Sequence, residues 1–167
     1  MKLAVLLLGM MFFLAIPVFG LDIVEIKFSD DPVEIVEASV TTLYGEEHGN
    51  QLFWYMRYVN RSDKAIDALS FRMLFYDVFN EYLGTNLGVR IDKLPPGEEG
   101  HVAPTYRSWD VDIYREWSAH TVIVFLDRIR FADGTIWRRS EAEITLELNK
   151  LKYILFKPEQ LEEKRKE

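Results

Sequence analysis

From Ile66 to Phe79 the chain alternates with period two: Leu69, Phe71, Met73, Phe75 and Phe79 form one apolar set, with Ser70 and Arg72 between them. Successive side chains of a strand point to opposite faces, so this run reads as a strand whose odd face belongs to a core. The same period recurs, more loosely, in Val33 to Leu43 after Pro32, in the aromatic run Leu52 to Val59, and in Ala119 to Phe131. Thr135 to Arg139, Glu141 to Leu148 and Leu151 to Phe156 are read as the last strands. A short strand is placed at His101 to Tyr106.

Between these runs stand turn formers. Gly45 to Asn50 is a polar turn, Asn60 to Lys64 carries residues that close a hairpin, and Tyr82 to Asn86 holds a glycine turn. Pro95-Pro96-Gly97-Glu98-Glu99-Gly100 must interrupt any sheet, because its two prolines donate no ladder hydrogen bond. Asp133-Gly134 is the strongest short hairpin signal, since both residues tolerate positive φ. A two-residue turn there sets Phe131 opposite Ile136 and Arg130 opposite Trp137, a cation over an aromatic face. Ser108 to Ser118 supports two readings. Trp109, Val111 and Ile113 alternate as in a strand, whereas Trp109, Ile113 and Trp117 also fall on one helix face. Roughly seven to nine strands with no long intervening helix imply an all-β antiparallel sandwich or barrel, with the sandwich preferred.

The N-terminus has the form of an export signal. Met1-Lys2 is a short positive segment, Leu3 to Ile16 is uncharged and apolar, and Pro17 breaks it before the small residue Gly20. Cleavage after Gly20 is expected, leaving a domain over 21–157 and a charged tail over 158–167. Uncleaved, the 17 residues Leu3 to Phe19 would sit at the lower edge of spanning length and act as an anchor. No later apolar run approaches that length, so no membrane span is expected after cleavage. The expected location is the periplasm, the cell envelope or the medium.

Composition removes several classes of function. With no cysteine among 167 residues there is no disulfide framework, zinc thiolate, redox pair or cysteine nucleophile. A net charge of -7, or -8 once Lys2 leaves with the signal, argues against a nucleic-acid partner. Stability must come from packing, for which twenty aromatics beyond residue 20 are ample.

The run FRMLFYDVF at Phe71 to Phe79, the loop LPPGEEG at Leu94 to Gly100 and the strand end RFADGTIW at Arg130 to Trp137 together resemble the FxLYD type of bacterial exported domain. Met73, Phe75, Tyr76 and Asp77 occupy the positions of Phe, Leu, Tyr and Asp, and the last two match outright. The resemblance covers about residues 50 to 139. It implies an immunoglobulin-like β-sandwich, no established enzymatic activity, and no functional residues to carry over.

Candidate chemistry is sparse. Asp77 and Asp127 fall in the apolar phase of their strands, and a converging carboxylate pair there would serve general acid and base catalysis in an envelope hydrolase. The structural alternative is an ion pair with Arg57, Arg72 or Arg128, because an unpaired buried charge is costly. His48, His101 and His120 are far apart and form no zinc-binding spacing, and no calcium, nucleotide or esterase motif occurs, so no cofactor or metal is expected. Glu46-Glu47-His48 and Asp110-x-Asp112 offer ligands that a solvated loop explains equally well. Asn60-Arg61-Ser62 matches the glycosylation sequon, a frequent chance match. Trp54 and Trp137 are expected in the core. Trp109, Tyr114 and Trp117 are the candidate ligand-binding residues, a platform for sugar rings. These readings lead to a non-enzymatic interaction or structural module of the envelope, with an envelope protein or polysaccharide as partner; the alternatives are a carbohydrate-binding module and the hydrolase.

Overall fold

A computed structural model of the chain describes residues 21–45, 49–102, 119–152, 154 and 156–161. The strands are β1 (Asp22–Glu25), β2 (Val33–Gly45), β3 (Gly49–Asn60), β4 (Ile66–Asp77), β5 (Tyr82–Leu94), β6 (Glu99–Val102), β7 (Ala119–Phe131) and β8 (Ile136–Arg138). One α-helix, α1 (Glu141–Lys150), follows them, and a 3-10 turn spans Pro158–Leu161. The strands form two sheets. The smaller runs β2-β3-β6, antiparallel throughout. The larger runs β1-β7-β4-β5, with β1 parallel to β7 beside Thr121–Val124 and β8 antiparallel to it beside Arg128–Arg130. The described chain is thus mostly β-sheet, as the alternation implies.

β4 lies at the centre because both of its faces are apolar. Its odd residues Leu69, Phe71, Met73 and Phe75 join Trp54, Met56 and Tyr58 from β3 in the core between the sheets. The even face is buried as well, contrary to the one-sided expectation: Leu74 and Tyr76 pack with Ile123 and Phe125 of β7 beneath Ile144 and Leu148 of α1. A strand covered on both faces reads as a nearly continuous apolar run, which is what LFY at 74–76 is. Phe79 does not join the core; it is 79% exposed in the turn that ends β4. Gly88 of β5 leaves room for the ring of Trp54, since a Cβ there would stand 2.5 Å from Cη2 of that ring.

Several expected elements differ. Residues 141–148 form a helix rather than a strand. Ile144 and Leu148, one turn apart, are buried, while Leu146 is 61% exposed. Glu, Ala and Leu favour helix locally, and Glu141 and Glu143 in the first turn with Lys150 in the last complement the helix dipole. The apolar outer face of β4 and β7 then selects the three-to-four residue spacing over the alternating one. Leu148→Ala is expected to cost about 2–5 kcal/mol and Leu146→Ala within about 0.5 kcal/mol, by urea unfolding; equal losses would contradict the helical packing. Residues 151–156 add no strand among those described, although Ile154 is buried, and Leu161 is buried beyond them. Tyr82 to Asn86 is strand, not a glycine turn. The segment after Asn60 closes no hairpin but carries the chain from the small sheet to the large one.

The β7–β8 hairpin forms with a register one residue off the expected one. Phe131 N donates to Thr135 O and Gly134 N to Phe131 O, which leaves a three-residue loop with Gly134 at φ 84°. Arg130 therefore faces Ile136, and Ile129 faces Trp137. The cation over Trp137 is Arg139, 4.9 Å from the ring, which also stands 4.2 Å from the ring of Phe28 and forms a bidentate pair with Asp30. Asp133 closes the loop: Lys64 Nζ donates to it at 2.6 Å and Thr135 N at 2.9 Å. Lys64, then Thr135, hold its carboxyl well below the usual carboxylate range. A depressed carboxyl contributes stability that is present above its unfolded value, about 4, and lost as pH falls through the folded one. Asp133→Asn should therefore be less stable than the parent at neutral pH and converge with it under strong acid, in urea unfolding across pH.

Candidate functional site

The expected carboxylate pair does not assemble. Asp77 serves its own turn, its Oδ1 accepting from Phe79 N and Glu81 N at 2.8 Å each. Asp127 is buried and pairs with Arg72 at 3.0 Å. Asp77 stands opposite Ala119, and Asp127 lies eight residues further along β7, roughly 25 Å away for an extended strand. His101 and His120 are exposed on different sheets, and His48 lies outside the described residues. Trp54 is in the core and Trp137 is half-buried against it, as expected. Trp109, Tyr114 and Trp117, with Asp110 and Asp112, lie in 103–118, outside the described residues. Asn60 of the sequon is fully buried and bonded within the protein.

A different surface emerges from the large sheet. α1 covers the outer face over one half of β4, at Leu74 and Tyr76. Over the other half the same face carries Ala68 and Ser70 from β4, Val89 and Ile91 from β5, Arg128 and Arg130 from β7, and Ile136 from β8, lining a groove of about 290 Å³. Strand pairing explains the grouping, since Ser70 is opposite Val89 and Arg128, Ala68 opposite Ile91 and Arg130, and Arg130 opposite Ile136. Arg138, opposite Arg128, extends the row.

A β-bulge creates the arginine row. Val122, Val124 and Leu126 face the core, and strict alternation would send Arg128 and Arg130 after them. Instead Phe71 pairs with Leu126 and Ser70 with Arg128, so Asp127 is the extra residue; Ile129 and Phe131 turn inward and the arginines outward. Sequence reasoning assigned these arginines to Asp127 and to Trp137. The available signal was the spacing Arg128-x-Arg130 with Ile136-x-Arg138, which becomes one patch only when the bulge is known.

The groove combines apolar walls with cations and one buried hydroxyl. Ile91 and Ile136 are 76% and 71% exposed. Arg128 lies 3.9 Å from Asp127, a carboxylate already held by Arg72, and Arg130 and Arg138 have no ion-pair partner among the described residues. Ser70, at the floor, is buried, and its Oγ has no hydrogen-bond partner among the described residues. A second cleft, of about 340 Å³ beside Phe28 and Ile35, differs in that its charges are matched, Arg61 to Glu34 at 2.7 Å and Asp31 to Arg139 at 2.5 Å. Among the described residues this groove therefore joins exposed apolar side chains to Arg130, a cation with no described ion-pair partner.

No protein-family model and no curated protein matches the chain. Its fold is similar to the crystal structure of a hypothetical protein from Peptoclostridium difficile 630, with a TM-score of 0.51 and 12% identity over 72% of this chain and 92% of that one. At that identity the likeness concerns fold alone.

Proposed function

We propose that this chain is an exported, non-enzymatic interaction module of the cell envelope, an immunoglobulin-like sandwich of the FxLYD type, which binds its partner through the open half of the large sheet. The strand orders support the fold reading: β2-β3-β6 and β8-β7-β4-β5 run as strands A-B-E and G-F-C-C′ of such a sandwich. The apolar segment Leu3 to Ile16 supports export. The observation that carries the binding reading is the groove itself, where exposed Val89, Ile91 and Ile136 lie beside Arg130, whose guanidinium has no ion-pair partner among the described residues. Apolar surface rimmed by charge is where soluble domains meet partners.

A photo-crosslinking side chain at position 91, with one at Leu146 on the exposed side of α1 as control, tests this in native envelope. A discrete adduct at position 91 that is absent at 146 and suppressed by Arg130→Glu is expected. The same product spectrum at both positions would remove the groove as the recognition surface.

A further inference from the structure

We infer that the groove takes an extended acidic peptide segment with apolar side chains flanking its carboxylates; this rests on the binding role proposed above for the same face. Three observations converge on that chemistry. First, the charges: in a chain of net charge -7, this patch presents Arg128, Arg130 and Arg138 together. Guanidinium groups pair with carboxylates in a planar, two-pronged geometry, and those of Arg130 and Arg138 have no such partner among the described residues.

Second, spacing: Arg128 and Arg130 are two residues apart on one face of β7, about 7 Å. An extended peptide repeats its side chains on one face at that same interval, so acidic residues at i and i+2 meet both arginines. Third, the floor and walls: the buried Ser70 hydroxyl is a donor without an acceptor among the described residues, and a peptide carbonyl or carboxylate supplies one. Val89, Ile91 and Ile136 offer apolar contact, and about 290 Å³, at the lower end of the range of ligand pockets, admits one or two side chains.

The test uses the full exported chain and an end-blocked peptide of sequence Leu-Gly-Glu-Gly-Glu-Gly-Leu, whose glutamates and leucines share one face when extended, followed by amide chemical shifts in NMR. Shifts confined to the neighbourhood of Ser70, Val89, Ile91 and Arg130 are expected, with affinity falling about tenfold in Arg130→Ala and again as salt is raised. Replacing both glutamates by lysine, or both leucines by serine, should abolish the shifts. Arg130 is exposed, so its substitution leaves the core intact. Binding to phosphatidylglycerol vesicles with no response to the peptide would overturn the peptide class in favour of a lipid surface. Absence of both responses while the position-91 adduct persists would overturn the acidic-ligand inference and leave the face as the binding surface. Loss of the adduct too would overturn both.

Discussion

Asp127→Ala is expected to lose about 3–5 kcal/mol of unfolding free energy, because it removes the carboxylate that faces the guanidinium of Arg72 in a site that is 4% exposed. Arg72 reaches Asp127 at 3.0 Å and also donates to the carbonyl of Leu161, so one side chain ties the central strand, the bulge in β7 and the final turn together. Replacing both partners with apolar groups, Arg72→Met with Asp127→Leu, should recover most of the loss, since neither charge then remains to be desolvated. Guanidinium chloride unfolding of the single and double variants decides the matter. Equal losses in the two would mean that packing volume, not the broken ion pair, sets the cost.

Asn60→Ala is expected to cost about 2–5 kcal/mol. The side-chain amide donates to Leu94 O at 3.0 Å and Lys64 O at 2.8 Å, while its oxygen accepts from Ser62 N and Ser62 Oγ. Its backbone is also engaged, with N donating to Glu98 O and its carbonyl accepting from Gly97 N. Removing the side chain takes this donor from Leu94 O, leaves Lys64 O with Ser62 Oγ, and strips Ser62 N of its acceptor, each loss worth about 1–3 kcal/mol. Asn60→Asp sharpens the test. A carboxylate facing two carbonyls is raised in pKa relative to the unfolded chain, so the folded state binds the extra proton and stability falls as pH rises through that value. Urea midpoints measured across pH should therefore drop towards neutrality in Asn60→Asp relative to Asn60→Ala, which keeps the parent's pH profile. A parallel pH response in both variants would mean that other groups dominate the titration.

The same residue shows where local reading stops. Asn60-Arg61-Ser62 was legible as a sequon and as turn chemistry, and the turn chemistry is real, since Asn60 and Ser62 bond within it. That the turn crosses between sheets depends on which strands pair with Ile66–Asp77, and those partners, β5 and β7, lie further along the chain. The helix at Glu141–Lys150 is a similar case. EAEITLEL satisfies both periods tolerably, and the deciding contact is with Leu74, Tyr76, Ile123 and Phe125, more than fifteen residues away at the nearest.

The candidate site was less legible than the fold. The expected platform of Trp109, Tyr114 and Trp117 lies outside the described residues. The groove was missed because its residues come from β4, β5, β7 and β8, and because one inserted residue, Asp127, reverses the facing of everything after it on β7. Alternation, turn residues and the absence of cysteine are local properties, and they were enough to determine a strand-rich, disulfide-free chain with β4, β7 and the Asp133-Gly134 turn close to where they stand. Sheet membership, the bulge, the helix over one half of the large sheet and the arginine row on the other are set by long-range burial, in which a few kcal/mol of distant packing outweigh a local preference of less than one.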